Sequence, residues 1–109
     1  MFVPASVLAM PGTAAGNATV TSAVVNMQGF TRSAISLQST TAGTLSVQRY
    51  VDAAGTVPLG TVASVALAAN TPNSVGFYDG LPSGSLIVSF ANSAGTTATL
   101  TNAAVLLSP

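Results

Sequence analysis

The sequence contains no cysteine, histidine, lysine, glutamate or tryptophan, and each absence narrows what the chain can do. Without cysteine it can form neither a disulfide framework nor a thiolate metal site. Without histidine, cysteine and lysine, it lacks most of the groups that act as nucleophiles or general bases near neutral pH. Without tryptophan, a sugar-binding platform is weakly indicated. We therefore expect a protein that is not an enzyme and that needs no cofactor.

Charge is also scarce. Charged residues make up 4% of the 109 residues, against about a quarter in typical domains, and the net charge is zero. The chain has no basic patch of the kind that binds nucleic acid. No apolar run reaches the roughly 18 residues that a membrane span requires. Because free soluble monomers usually keep a charged surface, the composition favours a chain that packs against partners or itself over a secreted Ser/Thr-rich domain.

Period-two alternation of apolar and small polar residues is the main pattern that the sequence does contain. It is clearest from Ser85 to Leu107, which predicts two strands joined by a polar turn from Asn92 to Gly95, and therefore a hairpin. Thr44 to Val51 predicts another strand, with a short return strand that Pro58 and Gly60 end quickly. The alternation assigns one set of side chains to the core: Leu45, Val47, Leu86, Val88, Phe90 and Leu100.

Turn signals recur about every ten residues, a spacing typical of sandwiches and barrels. Ala18 to Met27 predicts a strand with a bulge near Ala23, and Thr61 to Ala69 predicts a strand in spite of its alanine content. We predict an all-β fold, a single small β-sandwich (jelly-roll or Ig-like) of about seven or eight short antiparallel strands. We expect almost no helix.

The N-terminal segment differs from the rest. It is apolar, but Pro4 and Pro11 interrupt it and it has no positively charged start, so we expect an extended arm and not a signal peptide. We assign residues 1–12 to this arm and residues 13–109 to the sandwich domain.

The four charged residues are the remaining candidates for chemistry. Asp52 and Asp79 lie in turn sequences, DAAG and DG, where aspartate commonly bonds its own backbone. An aspartic dyad or a single calcium site is the alternative, but the spacing of a calcium loop is absent. We assign no metal. Arg49 is expected to pair with Asp52 or Asp79, whereas Arg32 is expected to meet a partner or solvent.

Three aromatic residues are candidates for a binding platform. Tyr50, Phe77 and Tyr78 could form a platform for sugar, but core or interface packing is the favoured role.

The segment GTLSVQRYVDAAGTVPLG, followed by DGLPSGSLIVSFANSAGTTATLTNAAVLL, resembles small virion proteins of tailed bacteriophages. The likeness covers about the second two-thirds of the chain and depends on the strand–turn–strand pattern around Arg49 and Asp52, the Asp79 loop and the Asn92 turn. It implies a structural protein of the virion, with no catalytic residues to transfer. It does not distinguish head from tail.

From this resemblance and the composition we expect a head decoration or cement protein that stabilises the assembled capsid. Its partners would be the major capsid protein, other virion proteins and copies of itself, with neither nucleic acid nor membrane. A tail, neck or fibre component is the alternative, and a carbohydrate- or receptor-binding module is another. The expected partner contacts are mostly the apolar residues of the arm, which could add a strand to a neighbour: Phe2, Val3, Val7, Leu8, Met10 and Arg32.

Overall fold

Ten strands form two antiparallel sheets that pack face to face. The computed structural model describes the backbone of residues 3–109 and the side chains from Leu8 onward. The strands are β1 (Val3–Val7), β2 (Thr13–Ala14), β3 (Thr19–Thr21), β4 (Val25–Asn26), β5 (Arg32–Ser39), β6 (Gly43–Tyr50), β7 (Pro58–Leu67), β8 (Asn73–Phe77), β9 (Ser85–Asn92) and β10 (Ala98–Ser108). Residues 3–109 contain no helix, so none of them forms a helix long and apolar enough to span a membrane.

The order of the strands confirms the predicted all-β sandwich. In the first sheet, β1 and β2 lie beside β10, followed by β5 and β8. In the second sheet, β3 and β4 lie beside β9, followed by β6 and β7. Two short strands share one position at an edge of each sheet. Each sheet is therefore four strands wide, and the ten segments fill eight positions.

The core lies between the sheets and uses the side chains that alternation predicts. Across the second sheet, Val20 lies opposite Phe90, Phe90 opposite Leu45 and Leu45 opposite Val65. In the first sheet, β5 contributes Ile35 and Leu37, both fully buried. All six residues assigned to the core from the sequence are buried, with exposed fractions of 0–8%.

The predicted hairpin from Ser85 to Leu107 is wrong, although both of its strands exist. β9 pairs with β3, β4 and β6, whereas β10 pairs with β1, β2 and β5, so the turn between them crosses from one sheet to the other. The buried Asn92 side chain holds the crossing, because its amide donates to the carbonyls of Ala14 (3.2 Å), Ala15 (3.1 Å) and Thr96 (2.9 Å). Alternation shows which side of a strand is buried, but it does not identify the neighbouring strand.

The hairpin that begins at β6 is present and longer than predicted. Tyr50 pairs with Pro58 and Gly43 with Leu67, so the return strand begins at Pro58 and continues to Leu67. Gly60 has φ of 69° and lies within a register shift opposite Gln48. The Gln48 amide donates to the carbonyls of Leu59 and Gly60, both at 3.3 Å. Gly60 therefore marks a bulge inside one strand and not its end, because glycine accepts positive φ without steric cost.

The predicted strand from Ala18 to Met27 is interrupted near the expected position. β3 and β4 are separated by Ser22, whose N–H donates to the Val88 carbonyl (2.8 Å) and whose Oγ accepts from the Val88 N–H (3.0 Å). The Ala23 N–H turns away and donates to the Ala9 carbonyl. The serine hydroxyl replaces a backbone acceptor, which explains why the strand breaks here without leaving Val88 unpaired.

Candidate binding surface

The outer face of the second sheet is the most regular surface of the molecule. Side chains paired across antiparallel strands point to the same side and lie about 4.5–5.5 Å apart. Thr21 pairs with Ser89, Ser89 with Ser46 and Ser46 with Ser64, so one row of four hydroxyls crosses the whole sheet. The next row along consists of Thr19, Ala91, Thr44 and Ala66. We call these two rows the hydroxyl face.

The hydroxyl face carries no charge because all four charged side chains of the sequence are placed elsewhere. Arg49 alternates with the outward residues of β6 and is buried between the sheets, with 5% of its surface exposed. Arg32 is the first residue of β5, in the other sheet. Asp52 and Asp79 lie in turns. The face therefore offers hydroxyl and methyl groups alone, which can bind through shape and hydrogen bonds.

One end of the hydroxyl face is closed by the turn of the β6–β7 hairpin. The Ser85 hydroxyl donates to the Asp52 carbonyl (2.6 Å) and is fully buried. Gly55 has φ of 74°, and a side chain there would lie 3.2 Å from Ile87 Cδ1 and 3.3 Å from Val24 Cγ2. The turn therefore covers Ile87, and the two rows beyond it remain uncovered.

Asp52 organises this turn, as its sequence context predicts. Its carboxylate accepts from the N–H groups of Thr56 (2.9 Å) and Val57 (3.0 Å) and from the Thr56 hydroxyl. The hydrogen bond from that hydroxyl and those from the two N–H groups lower the pKa of Asp52 from 3.8 to about 2. The Asp52 carboxylate is therefore engaged within its own turn.

Arg49 and Asp79 form the internal ion pair that the sequence suggests, with Asp79 as the partner in place of Asp52. The guanidinium donates to both carboxylate oxygens at 2.9 Å and lies 3.9 Å from the centre of the Phe77 ring. The Arg49 guanidinium, and after it the Leu81 N–H, hold the pKa of Asp79 below its ordinary value. The pair connects β6 of the second sheet to the loop that follows β8 of the first sheet, which indicates a structural role.

The aromatic platform, the less favoured alternative, is not assembled. Phe77 is buried, with 9% of its surface exposed, and lies under Arg49, which confirms the packing role favoured for it. Tyr78 is 66% exposed in the loop after β8. Tyr50 is half-buried at the end of β6, in the other sheet. Phe77 and Tyr78 are adjacent in sequence, but Phe77 ends β8 and is buried, whereas Tyr78 begins the exposed loop that follows.

The residues expected to contact partners lie in different environments. Phe2 falls outside the described residues, and of Val3 and Val7 the structure describes the backbone alone. Their strand, β1, pairs with β10 of the same chain, so the segment expected to be an arm forms an edge of the first sheet over Val3–Val7. Leu8 is 3% exposed and belongs to the core, which corrects its expected exposure. Its position between Pro4 and Pro11 gave no sign of this packing.

The last two of these residues differ in exposure. Met10 is half-buried and packs against the core. Arg32 is exposed and pairs with Ser108 of β10, next to the pairing of Val3 with Leu107. The structure thus brings Arg32 and the start of β1 to the same end of β10 and separates both from Leu8.

The outer face of the first sheet has a shallow apolar depression of about 110 Å³. It lies over β10, β5 and β8 and is lined mainly by small side chains: Ala34, Ile35, Ser36, Ser74, Ala104, Val105 and Leu106. Unlike the hydroxyl face, it has no regular rows of hydroxyls.

Sequence reasoning missed the hydroxyl face as a unit. It placed Ser46 and Ser89 on the outward side of their strands, but the row exists only because the register aligns Thr21, Ser89, Ser46 and Ser64. A signal was present in the outward positions of the strands, which are filled with serine, threonine and alanine.

Comparison with known proteins finds relatives by fold alone. No family model matches the chain, and no curated protein matches it. Among solved structures, the PBSX exported protein XepA has a TM-score of 0.69 at 14% identity over 94% of this chain. This chain spans 36% of the length of that protein. A family 16 carbohydrate-binding module has a TM-score of 0.51 at 13% identity, over 85% of this chain and 73% of the module. Both similarities support the sandwich fold.

Proposed function

We propose that this chain is a non-enzymatic structural protein of a bacteriophage particle, and that it decorates the assembled head by binding through the hydroxyl face. The observation that carries the proposal is the uncharged surface four strands wide, with Ser46 and Thr44 at its centre. The PBSX exported protein XepA shares the fold of this chain, and this likeness supports the proposal.

The chemistry of the hydroxyl face suits attachment to a broad protein surface. A binding cleft for a small molecule is concave, with a few convergent polar groups. The hydroxyl face is instead an open sheet surface with evenly spaced hydroxyls and methyls. Such a face binds by burying area and by many weak hydrogen bonds, which a joint between capsid subunits can provide. A protein that binds the assembled shell and not its free subunits stabilises the shell by mass action.

The proposal shifts the contact from the N-terminal segment to the hydroxyl face. A free extended arm can add a strand to a neighbouring protein. The backbone of Val3–Val7 is instead paired with β10 of its own chain, so this segment is an edge strand of the first sheet and not a free arm. Arg32 remains in the proposal as a second contact, at the end of β10. It is exposed and forms no ion pair with another described residue, so its guanidinium is free to bind a partner.

The test is a binding assay with particles that lack the protein. Wild-type protein, Thr44→Lys and Thr99→Lys are each mixed with these particles, which are then pelleted. Thr44 and Thr99 are both exposed threonines in inner strands, on the outer faces of the second and first sheets respectively. We expect wild type and Thr99→Lys to pellet with the particles and Thr44→Lys to stay in solution. Equal binding by Thr44→Lys would remove the hydroxyl face from the proposal.

Copy number distinguishes decoration from the tail, neck or fibre alternative. An electron micrograph of particles saturated with the protein should show many copies at positions of capsid symmetry. A few copies at a vertex or tail would favour the alternative.

A carbohydrate-binding module is the second candidate, because of the likeness in fold to the family 16 carbohydrate-binding module and the exposure of Tyr78. A glycan array probed with wild type and Tyr78→Ala tests it. Binding to a defined glycan that Tyr78→Ala loses, together with no binding to particles, would favour this candidate over decoration.

A further inference from the structure

The edge strand β7 differs from the other edges of the sandwich. The edges formed by β1 with β2 and by β3 with β4 are each split into short strands, and β8 has five residues. By contrast, β7 has ten residues, Pro58–Leu67. Among the described strands it pairs with β6 alone, so no strand is paired along its second side.

The hydrogen bonds of β6 show which backbone groups of β7 point outward. The Ser93 N–H donates to the Ala42 carbonyl (3.1 Å), on the β9 side, and the Val51 N–H donates to the Val57 carbonyl (2.8 Å), on the β7 side. Because bonding direction alternates along antiparallel strands, even-numbered residues of β6 bond β9 and odd-numbered residues bond β7. The odd-numbered residues Gly43, Leu45 and Val47 are paired with Leu67, Val65 and Ala63. The backbone groups of these three β7 residues are therefore hydrogen-bonded to β6.

Val62, Ser64 and Ala66 alternate with these residues along β7. They direct their N–H and C=O groups away from β6. The Asn73 amide donates to the Ala66 carbonyl (3.4 Å), which agrees with that direction. The outer side of β7 thus presents a short row of backbone donors and acceptors with which no described strand pairs. The Ala66 carbonyl, although it accepts this side-chain bond, keeps a second lone pair for a further strand.

This part of the edge lacks the features that prevent strands from pairing. Proteins protect edges with charged side chains, proline or bulges. β7 has Pro58 and the Gly60 bulge in its first part, but the stretch Thr61 to Leu67 reads TVASVAL and contains none of these. Val62 is 51% exposed. The unprotected stretch is therefore both apolar and open along its backbone.

We propose that two copies of this chain pair through β7, edge to edge and antiparallel, about a two-fold axis at Ser64. This axis places Ser64 opposite the partner's Ser64 and Val62 opposite the partner's Ala66. All these residues direct their backbone groups outward, so each pair can exchange two hydrogen bonds. A two-fold contact uses the same patch on both copies, and this uncharged stretch brings no like charges together.

The hydroxyl face indicates that the partner at this edge is a second copy of the chain. In this register the row Thr21, Ser89, Ser46 and Ser64 continues without a break into the same row of the partner. Eight strands would then present one continuous surface. The pairing joins sheets of identical register and twist, and exposed Val62 packs across the new edge. The association does not depend on what the hydroxyl face binds.

The first test measures mass in solution. Sedimentation velocity over a range of concentrations should show wild type with the mass of two chains. Ser64→Lys places two ammonium groups opposite each other across the axis, and we expect it to sediment as a single chain. Thr21→Lys puts the same charge at the other end of the same row and should remain a dimer. Thermal unfolding of both variants checks that they are folded.

The second test uses the absence of cysteine from the sequence. Residues in a hydrogen-bonded antiparallel pair have Cα atoms about 5.5 Å apart, within the range of about 4.4–6.8 Å that a disulfide spans. Oxidised Ser64→Cys should therefore form a covalent dimer, and Thr21→Cys should not. A monomeric wild type, a dimeric Ser64→Lys, or Ser64→Cys that crosslinks no better than Thr21→Cys overturns the proposal, whatever the particle-binding assay gives.

Discussion

At the scale of single residues, Arg49 has the most specific surroundings. Its guanidinium is buried, stacks on Phe77 and donates two parallel hydrogen bonds to Asp79. Arginine suits this position because its planar fork matches a carboxylate and its flat face can lie on an aromatic ring. A buried charge is costly unless it is paired, so the loop that carries Asp79 is held to the sandwich by this contact.

Acid should lower the thermal stability of the protein because it protonates the two aspartates. Both carboxyls have lowered pKa values in the folded state, and that of Asp52 falls from 3.8 to about 2. A group whose folded pKa is depressed stabilises the fold above its unfolded pKa and loses that contribution as the pH falls through the folded value. We expect the unfolding temperature to fall as the pH drops below 3.8.

Differential scanning calorimetry from neutral to acid pH measures this slope. The sequence has no glutamate and no histidine, so apart from the terminal carboxyl the acid dependence belongs to these two residues. The double variant Asp52→Asn, Asp79→Asn should show a nearly flat profile, and each single variant an intermediate one. A double variant that loses stability as steeply as wild type would contradict the assignment.

Phe90 should be among the residues most important for stability. It is fully buried at the centre of the second sheet, between Val20 and Leu45. Large-to-small core substitutions lose apolar burial and leave a cavity, so Phe90→Ala should lower the free energy of unfolding by about 3–5 kcal/mol. Urea denaturation measures the loss. Val57→Ala, at an exposed position in the turn before β7, serves as the control and should cost far less.

Burial at this scale could be predicted well from sequence. Alternation in β6 and β9 assigned Val47 and Phe90 to the core, and the structure buries both completely. The method failed for Leu8, because a segment interrupted by prolines has no clear period. Pairing of Arg49 was predictable from the scarcity of charge, but the choice of Asp79 over Asp52 depends on a loop that crosses between sheets.

At the scale of elements, the turn from β9 to β10 determines how the two sheets are joined. Asn92 is 4% exposed and uses both ends of its side chain, since its oxygen accepts from the Thr41 hydroxyl (2.8 Å) and the Ala94 N–H (3.0 Å). Its amide satisfies carbonyls of the loop after β2 and of the turn itself. One side chain thus supplies the hydrogen bonds that strand pairing cannot supply at the crossing.

Removing that side chain should be costly although the turn is small. Asn92→Ala leaves buried carbonyl groups without donors, and each unsatisfied buried group costs about 1–3 kcal/mol. We expect a loss of at least that size in urea denaturation. Ser93→Ala changes an exposed neighbour in the same turn and should stay within about 0.5 kcal/mol of wild type. Equal effects of the two substitutions would show that the Asn92 network is not what stabilises the crossing.

The strands were predicted better from the sequence than the pairing between them. Sequence reasoning found the strands of β6, β9 and β10, but joined the last two in a hairpin. A small polar turn is compatible both with a hairpin and with a passage between sheets, and only the long-range contacts of Asn92 distinguish them. It also divided β7 at Gly60, because glycine and proline signal a strand end and a bulge equally well.

At the scale of the whole molecule, the positions of the few charged residues determine which surface is uncharged. The two arginines and two aspartates lie away from the hydroxyl face, and Arg49 is buried where it pairs with the half-exposed Asp79. Composition predicted an uncharged surface and contact with partners. The sheet order, which collects the outward hydroxyls into rows, depends on long-range pairing that no local pattern contains.

This distribution of charge predicts how attachment to particles should respond to salt. Exposed ion pairs are screened over about 10 Å at 0.1 M salt and about 3 Å at 1 M, whereas apolar burial and hydrogen bonds are screened weakly. Since the hydroxyl face has neither cations nor anions, wild type that pellets with particles at about 0.1 M salt should still do so at about 1 M. If salt alone releases it, then the partner surface carries charges that Arg32, Asp52 or Asp79 must meet. Substituting Arg32→Gln would then reduce binding at low salt and flatten its salt dependence, and attachment through the uncharged face would be contradicted.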